Sequence, residues 1–312
     1  MIIVLSTETM AAEPWRKALA AACQMAGLDA QVNVWSGTAM GARYAVVWLP
    51  PPELFALETQ LRAVFNLGAG VDALLAAGAV PNHLPILRLL DAGMAPKMAE
   101  YVCFAIARIT RGLDRFAPQV EFDWNAQRPR GAPAVVGVLG LGAIGAPIAT
   151  AVANFGYRVR GWSRSARSVK GVEAFAGAAQ FEPFLAHTDI LVNALPLTSA
   201  TENLLDRRAF GYLPRGAHVI NVGRGGTIAD ADLIAVLDSG QLASATLDVF
   251  PIEPLPVDHP FRRHAKITVT PHLSGPTPRA PACEQIIATL LQLERGAPPA
   301  SLPGYVDRVR GY

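Results

Sequence analysis

Residues 134–145 read AVVGVLGLGAIG, and residues 146–154 continue as APIATAVAN. The first run is apolar and β-branched, which favours a strand, and the second is alanine-rich, which favours a helix; between them stand Gly140, Gly142 and Gly145. Glycines spaced this way allow a tight turn and let the backbone approach a pyrophosphate. They leave the amides around Ala143 and Ile144 at a helix N-terminus, where negative charge is favoured. The same order argues against a membrane span: residues 131–157 carry no charge, yet six glycines and two prolines interrupt them.

A second apolar run, YRVRGW, opens 12 residues after Gly145. An Asp or Glu at its end would accept hydrogen bonds from the ribose hydroxyls of NAD and repel an added 2′-phosphate. Ser163 stands there instead, followed by Arg164, Ser165 and Arg167, and residues 124–172 hold seven basic residues and no acidic one. An arginine beside two hydroxyls pairs a phosphate through charge-assisted hydrogen bonds. The sequence therefore predicts NADPH (oxidised form NADP+) as the preferred cofactor, with NADH second.

Outward from this motif the chain divides. Five short apolar runs within residues 1–96 (IIVLS, VNVW, YAVVW, AVFNLGA, PILRL) alternate with helical stretches, as in a parallel sheet with crossover helices. A helical pattern over 95–122, too long for an ordinary crossover, suits a domain bridge or a subunit contact, so a homodimer is expected; Met98, Tyr101, Phe104 and Ile109 on it read as packing residues. From Ala134 six strands follow, beginning AVVGVLG, YRVRGW, DILVNAL, AHVINV, ATLDVF and ITVT. A last helix near 281–294 comes after the strands are used, so the chain is expected to return there to the first domain. The expected fold is α/β with two Rossmann-like domains: a doubly wound parallel-sheet cofactor domain (97–276) inserted in a smaller flavodoxin-like substrate domain (1–96 and 277–312).

Three polar residues each follow an apolar run: Arg224 after INVG, Glu253 after LDVFPI and His272 after ITVTP. In a doubly wound sheet the carboxyl ends of the strands open on one crevice, so the three can converge. Their chemistry is complementary: a guanidinium for a carboxylate, an imidazole to move a proton, and a carboxylate to orient that imidazole. This is the equipment of a carbonyl-reducing site.

Composition limits the partners. A chain of 312 residues that is 51% hydrophobic and only 17% charged has the apolar material for two cores, so it is neither disordered nor fibrous. Twenty-seven basic residues against 25 acidic ones leave +2, which supplies no global field for nucleic acid or an anionic membrane; a small molecule is the expected partner. Cys23, Cys103 and Cys283 are odd in number and widely spaced, and MIIVLSTETM lacks a basic leader, so a reducing, cytoplasmic location is expected. No Cys, His and carboxylate spacing suggests a metal.

The ordered set VLGLGAIG, NVGRGG (221–226), LDVF (247–250) followed by EPLP (253–256), and TPH (270–272) resembles the D-isomer-specific 2-hydroxyacid dehydrogenase family over nearly the whole chain. LGAGVD (67–72), WLPP (48–51), Gly93-Met94 with AEY (99–101), and GWSRS (161–165) resemble its glyoxylate/hydroxypyruvate reductase A branch. The resemblance implies that Arg224 holds the substrate carboxylate and carbonyl oxygen, that His272 is the general acid and that Glu253 hydrogen-bonds it. It places Asp248 at the nicotinamide carboxamide and Leu195-Pro196 at the cofactor. The backbone amides of Ala69 and Gly70 would meet the carboxylate, with Trp48 and Met94 lining the substrate side chain. The implied activity is NADPH-dependent reduction of short 2-oxo acids, glyoxylate to glycolate and hydroxypyruvate to D-glycerate. A dinucleotide-sensing regulator and a reductase of bulkier 2-oxo acids are the alternatives. Three features depart from the family: Gly223 precedes the arginine where Ala or Ser is usual, Leu273-Ser-Gly275 follows the histidine, and Pro147 lies early in the helix after the glycines.

Overall fold

The computed structural model describes residues 1–7, 9–78, 80–116 and 134–312. Contacts divide it into two units, Met1–Met94 with Thr277–Tyr312, and Ala95–Pro276.

The first unit runs β1 (Ile2–Ser6), α1 (Thr9–Met25), β2 (Gln31–Val34), β3 (Tyr44–Val47), α2 (Glu53–Leu57), β4 (Ala63–Asn66), α3 (Asp72–Ala76) and β5 (Ile86–Arg88). All five strands are parallel, in the order β2-β1-β3-β4-β5, which is the flavodoxin-like order. YAVV and AVFN are buried throughout, because a parallel sheet covered on both faces needs apolar side chains on both. Beyond β5 the edge is closed by the C-terminal segment, where Val306 N–H donates to the Ile86 carbonyl and Arg88 N–H to that of Gly304.

The second unit opens one residue into α4 (Met94–Arg111), whose inner face, including Val102, Cys103 and Ile106, packs on apolar residues of the sheet below. The expected helix over 95–122 is shorter in the structure. Gly112, at φ +61°, takes the left-handed conformation that ends helices, and a 3-10 turn over Leu113–Phe116 follows; residues 117–122 lie outside the described residues. The unit continues with β6 (Val135–Leu139), α5 (Gly145–Asn154), β7 (Arg158–Ser163), β8 (Val172–Ala176), α6 (Phe181–Leu185), β9 (Ile190–Asn193), α7 (Arg207–Tyr212), β10 (Ala217–Asn221), α8 (Asp230–Asp238), β11 (Leu242–Leu247) and β12 (Ile267–Val269).

These strands make one parallel sheet, ordered β12-β11-β10-β9-β6-β7-β8. Counted from its own first strand this is the doubly wound order 3-2-1-4-5-6 with one strand added, and the order reverses between β6 and β9. The sheet has seven strands where six were expected. The unexpected one, β8, is an edge strand with a partly exposed, weakly apolar face. The Arg160 guanidinium braces it, pairing with Glu173 at 3.3 Å and stacking over the Phe175 ring. Past Pro276 the chain returns to the first unit with α9 (Arg279–Glu294), which packs on α1. Among the described residues no helix is long and apolar enough to cross a membrane.

Candidate active site

The glycine loop joins β6 to α5, and each glycine has its own reason. Gly140 sits at φ +94°, where an added Cβ would come 3.0 Å from the Ala194 carbonyl oxygen. A Cβ on Gly145 would lie 1.7 Å from the Gly140 carbonyl oxygen, so only glycine lets the helix start this close to the strand. Gly142 faces open space and, like Ala143, is exposed, while Ile144 is half-buried at the N-cap of α5. Open backbone at the start of a ten-residue helix fits a pyrophosphate. Pro147 is the third residue of α5, within the first turn, where proline is tolerated: the Ala146 amide still reaches the Gly142 carbonyl and the Ile148 amide that of Ile144.

Ser163 ends β7. Its side chain is buried and its hydroxyl donates to the Ser165 carbonyl at 2.8 Å. The hydroxyl proton thus shapes the loop, and Arg164, Ser165 and Arg167 are among the residues exposed beyond it. No acidic side chain stands in this loop, so the residues fit a cofactor that carries a 2′-phosphate.

Close backbone approaches join the remaining pieces. The Ala194-Leu195 segment touches the glycine loop at Gly140 and the arginine loop at Gly223, where a Cβ would meet the Leu195 carbonyl oxygen at 2.6 Å. The family's Ala or Ser before the arginine is therefore excluded here by backbone. Gly225 in turn lies against Phe250 and Pro251, an added Cβ coming 2.1 Å from the Phe250 carbonyl carbon. Arg224 lies between these two glycines, half-buried, with Nη1 donating to the Gly223 carbonyl at 2.8 Å. Leu195 is buried and Pro196 half-buried in the adjoining segment.

Glu253 follows on the loop after β11. Its Oε1 accepts from the Phe250 amide at 2.9 Å, and its Oε2 meets His272 Nδ1 at 2.7 Å. The His272 side chain stays 42% exposed, so the ring is anchored on one edge and open on the other. Its backbone sits at φ +49°, a left-handed conformation that only strong local support sustains. Asp248 gives that support. Fully buried, it accepts from Thr270 Oγ1 (2.6 Å) and the Leu273 amide (2.9 Å) through Oδ1, and from the Ser274 amide (2.9 Å) through Oδ2. Its backbone carbonyl takes the His272 amide at 2.8 Å. The carboxylate that the resemblance places at a carboxamide also braces the histidine loop.

The sequence does not signal how several polar residues of this site pair. Tyr101 Oη lies 2.7 Å from Thr270 Oγ1; because the Thr270 proton goes to Asp248, Tyr101 must be the donor. Burial pushes the Tyr101 phenol up from its ordinary pKa. Beneath Arg224 lies a buried amide network: Asn193 Nδ2 donates to Asn221 Oδ1 (2.9 Å) and Thr227 Oγ1 (2.7 Å), while Asn221 Nδ2 (3.1 Å) and Thr227 Oγ1 (2.6 Å) both donate to the Arg224 carbonyl. Such residues look like loop punctuation until the fold pairs them.

In the first unit, Trp48 is half-buried just past β3, its ring lying on Gly68 so that an added Cβ would come within 2.5 Å. Ala69 and Gly70 are half-buried in the loop after β4, and Met94 is buried, its Sδ 3.4 Å from Thr277 Oγ1.

A doubly wound domain with a phosphate-fitting glycine loop at its strand ends, and with Arg224, Glu253 and His272 on successive loops beside it, defines a nicotinamide-dependent oxidoreductase. The profile of the D-isomer specific 2-hydroxyacid dehydrogenase NAD-binding domain matches residues 102–274. Glyoxylate/hydroxypyruvate reductase A of Serratia proteamaculans is 42% identical over 292 residues, covering 91% of this chain and 92% of that protein. Among solved structures, a D-isomer specific 2-hydroxyacid dehydrogenase from Xanthobacter autotrophicus Py2, in complex with NADPH and MES, superposes with a TM-score of 0.88 at 38% identity and covers 99% of both chains. An NADPH-dependent glyoxylate/hydroxypyruvate reductase from Sinorhizobium meliloti, in complex with NADP and sulfate, gives 0.86 at 32% identity, over 100% of this chain and 99% of that one. The chain belongs to the D-isomer specific 2-hydroxyacid dehydrogenase family, in its glyoxylate/hydroxypyruvate reductase A branch.

Proposed function

We propose that this protein reduces short 2-oxo acids, glyoxylate to glycolate and hydroxypyruvate to D-glycerate, with NADPH preferred over NADH. The observation that carries the proposal is the 2.7 Å contact of Glu253 with His272, next in a line of touching loops to Arg224. In this reading the Ala95–Pro276 unit is the cofactor domain and the other unit the substrate domain.

The glycine loop from Gly140 to Gly145 would hold a nicotinamide cofactor, which when bound would provide the hydride for the carbonyl carbon. Arg224 binds the carboxylate and the carbonyl oxygen, where a planar guanidinium offers paired donors. Glu253 holds His272 by Nδ1, which leaves Nε2 to deliver the proton to that oxygen; hydride and proton together reduce the carbonyl of the 2-oxo acid to the hydroxyl of the 2-hydroxy acid. Arg164 and Ser165 bind the 2′-phosphate, a role supported by the NADPH and NADP held by the two solved relatives. The exposed Phe104 on α4 supports a homodimer, and a cytoplasmic location goes with the same proposal.

Following NADPH loss with glyoxylate, hydroxypyruvate, pyruvate and phenylpyruvate tests the substrate class, and fastest turnover on phenylpyruvate would overturn it. His272→Gln should lower turnover about 10²- to 10⁴-fold with cofactor affinity unchanged, and near-normal turnover would refute the assignment.

A further inference from the structure

Three successive carbonyls in the loop after β4 are drawn to the same side. Asn66 Nδ2 donates to those of Gly68 (3.0 Å) and Gly70 (2.8 Å), and Arg88 Nη1 donates to that of Ala69 (3.3 Å). In a trans peptide the C=O and the following N–H point in opposite directions. Turning the oxygens of Gly68 and Ala69 inward therefore turns the amides of Ala69 and Gly70 the other way, as in the backbone concavities that bind anions. The Trp48 ring lies directly on Gly68 in this loop.

Arg88, the last residue of β5, lies beneath these amides. Its two hydrogen bonds, to the carbonyls of Ala69 and Leu89 at 3.3 Å each, both leave from Nη1, and the buried Nε has no partner. Burial pushes the guanidinium below its ordinary pKa, and charge at Tyr312 acts the other way. A shielded cation with unused donor capacity, under outward-facing amides, is an arrangement that a bound anion offsets.

We propose that Arg88 is a positioning residue for the substrate's acid group: it turns the Ala69-Gly70 amides toward a carboxylate and supplies the half-buried charge that selects an anion over a neutral amide or ester. This rests on the reading of the protein as a 2-oxo acid reductase.

The test titrates oxalate, a non-reacting carboxylate, into the full-length protein with NADPH bound, by calorimetry, alongside steady-state kinetics with hydroxypyruvate. Arg88→Met should raise the oxalate Kd and the hydroxypyruvate KM about tenfold or more, with kcat within about threefold of the wild type and NADPH affinity unchanged. Arg88→Lys, which keeps the charge and loses the forked donors, should recover part of that affinity. An oxalate Kd and a KM both within twofold of wild type in a folded Arg88→Met protein would overturn the proposal. If Arg88→Met does not fold, Arg88→Lys decides, because an unchanged KM there overturns the positioning role. The oxalate titration needs no turnover, so it stays readable if His272→Gln shows the reductase reading to be wrong.

Discussion

Glu253 engages both of its oxygens, Oε1 with the Phe250 amide at 2.9 Å and Oε2 with His272 Nδ1 at 2.7 Å, so the carboxylate cannot turn without breaking a bond to its own loop. The imidazole is held by a group that is itself held, and its free nitrogen has one direction in which to present a proton. Glu253→Gln keeps the shape and removes the charge. It should lower kcat about 10- to 100-fold with KM little changed. Because the two side chains act as a unit, the Glu253→Gln, His272→Gln double variant should be no slower than His272→Gln alone; steady-state kinetics of the four proteins would show additive losses if the pair were uncoupled.

Gly145 and Gly142 look alike in the motif and differ in the structure. A Cβ on Gly145 meets the Gly140 carbonyl oxygen at 1.7 Å, whereas one on Gly142 meets nothing within 4 Å. Gly145→Ala should therefore lower stability by about 2 kcal/mol or more through a displaced helix. Gly142→Ala should keep the melting temperature within about 2 °C and weaken NADPH binding instead, since the methyl occupies the open side of the turn. Thermal melts and cofactor titrations on both variants separate the two effects, and equal melting temperatures would contradict the packing reading.

The difference between those glycines marks how far the sequence can be read. Periodicity and spacing are local signals, and local signals found β6, the glycine turn, α5 and the strand ends that carry Arg224, Glu253 and His272. β8 escaped because an edge strand needs few apolar residues and VEAFA is held by Arg160, a side chain from the neighbouring strand. The end of α4 was overrun because apolar spacing continues past Gly112, while backbone conformation stops the helix there. Asp248 sat in a recognisable motif, yet its three hydrogen bonds go to Thr270, Leu273 and Ser274, more than twenty residues away. Asn66, Asn193 and Asn221, which are buried, and Arg88, which is half-buried, are polar residues whose partners exist only after the chain has folded, and a sequence offers no period for that.

Asp248 makes the strongest stability test. Both of its oxygens receive donors, so Asp248→Asn must turn an NH2 group toward a hydroxyl or amide that is itself donating. The expected loss is about 2–4 kcal/mol, by analogy with breaking a buried charged network. The His272 loop should loosen with it, so kcat should fall even in the fraction that remains folded. Urea unfolding at pH 7 gives the first quantity and single-turnover kinetics the second.

The proposed function assigns cofactor choice to Ser163, Arg164 and Ser165. A Ser163→Asp, Arg164→Pro pair puts a carboxylate where the ribose hydroxyls of NADH would bind and removes the exposed cation. The NADPH-to-NADH ratio of kcat/KM should fall about 100-fold or more, a change equivalent to losing charge-assisted bonds to a phosphate. An unchanged ratio would remove Arg164 from the account of cofactor choice.

Alkaline pH should weaken the first unit through Tyr44. Its buried phenol donates to Glu294 Oε1 at 2.5 Å, and burial first, then that bond, push its pKa up to about 12 from 10.0, although Arg43 and Arg62, which share Glu294, pull it down. Between these two values the unfolded chain has lost the proton while the folded one keeps it. Stability from this group is therefore complete below pH 10 and declines as pH rises toward 12, by up to about 3 kcal/mol for a shift of two units. Tyr44→Phe cannot ionise. It should be less stable than wild type near pH 8 by about 1 kcal/mol for the lost hydrogen bond, and the gap should close as pH climbs through 11. Urea midpoints at pH 8, 10 and 11.5 for the two proteins measure this, and parallel curves would remove Tyr44 from the account of alkaline unfolding.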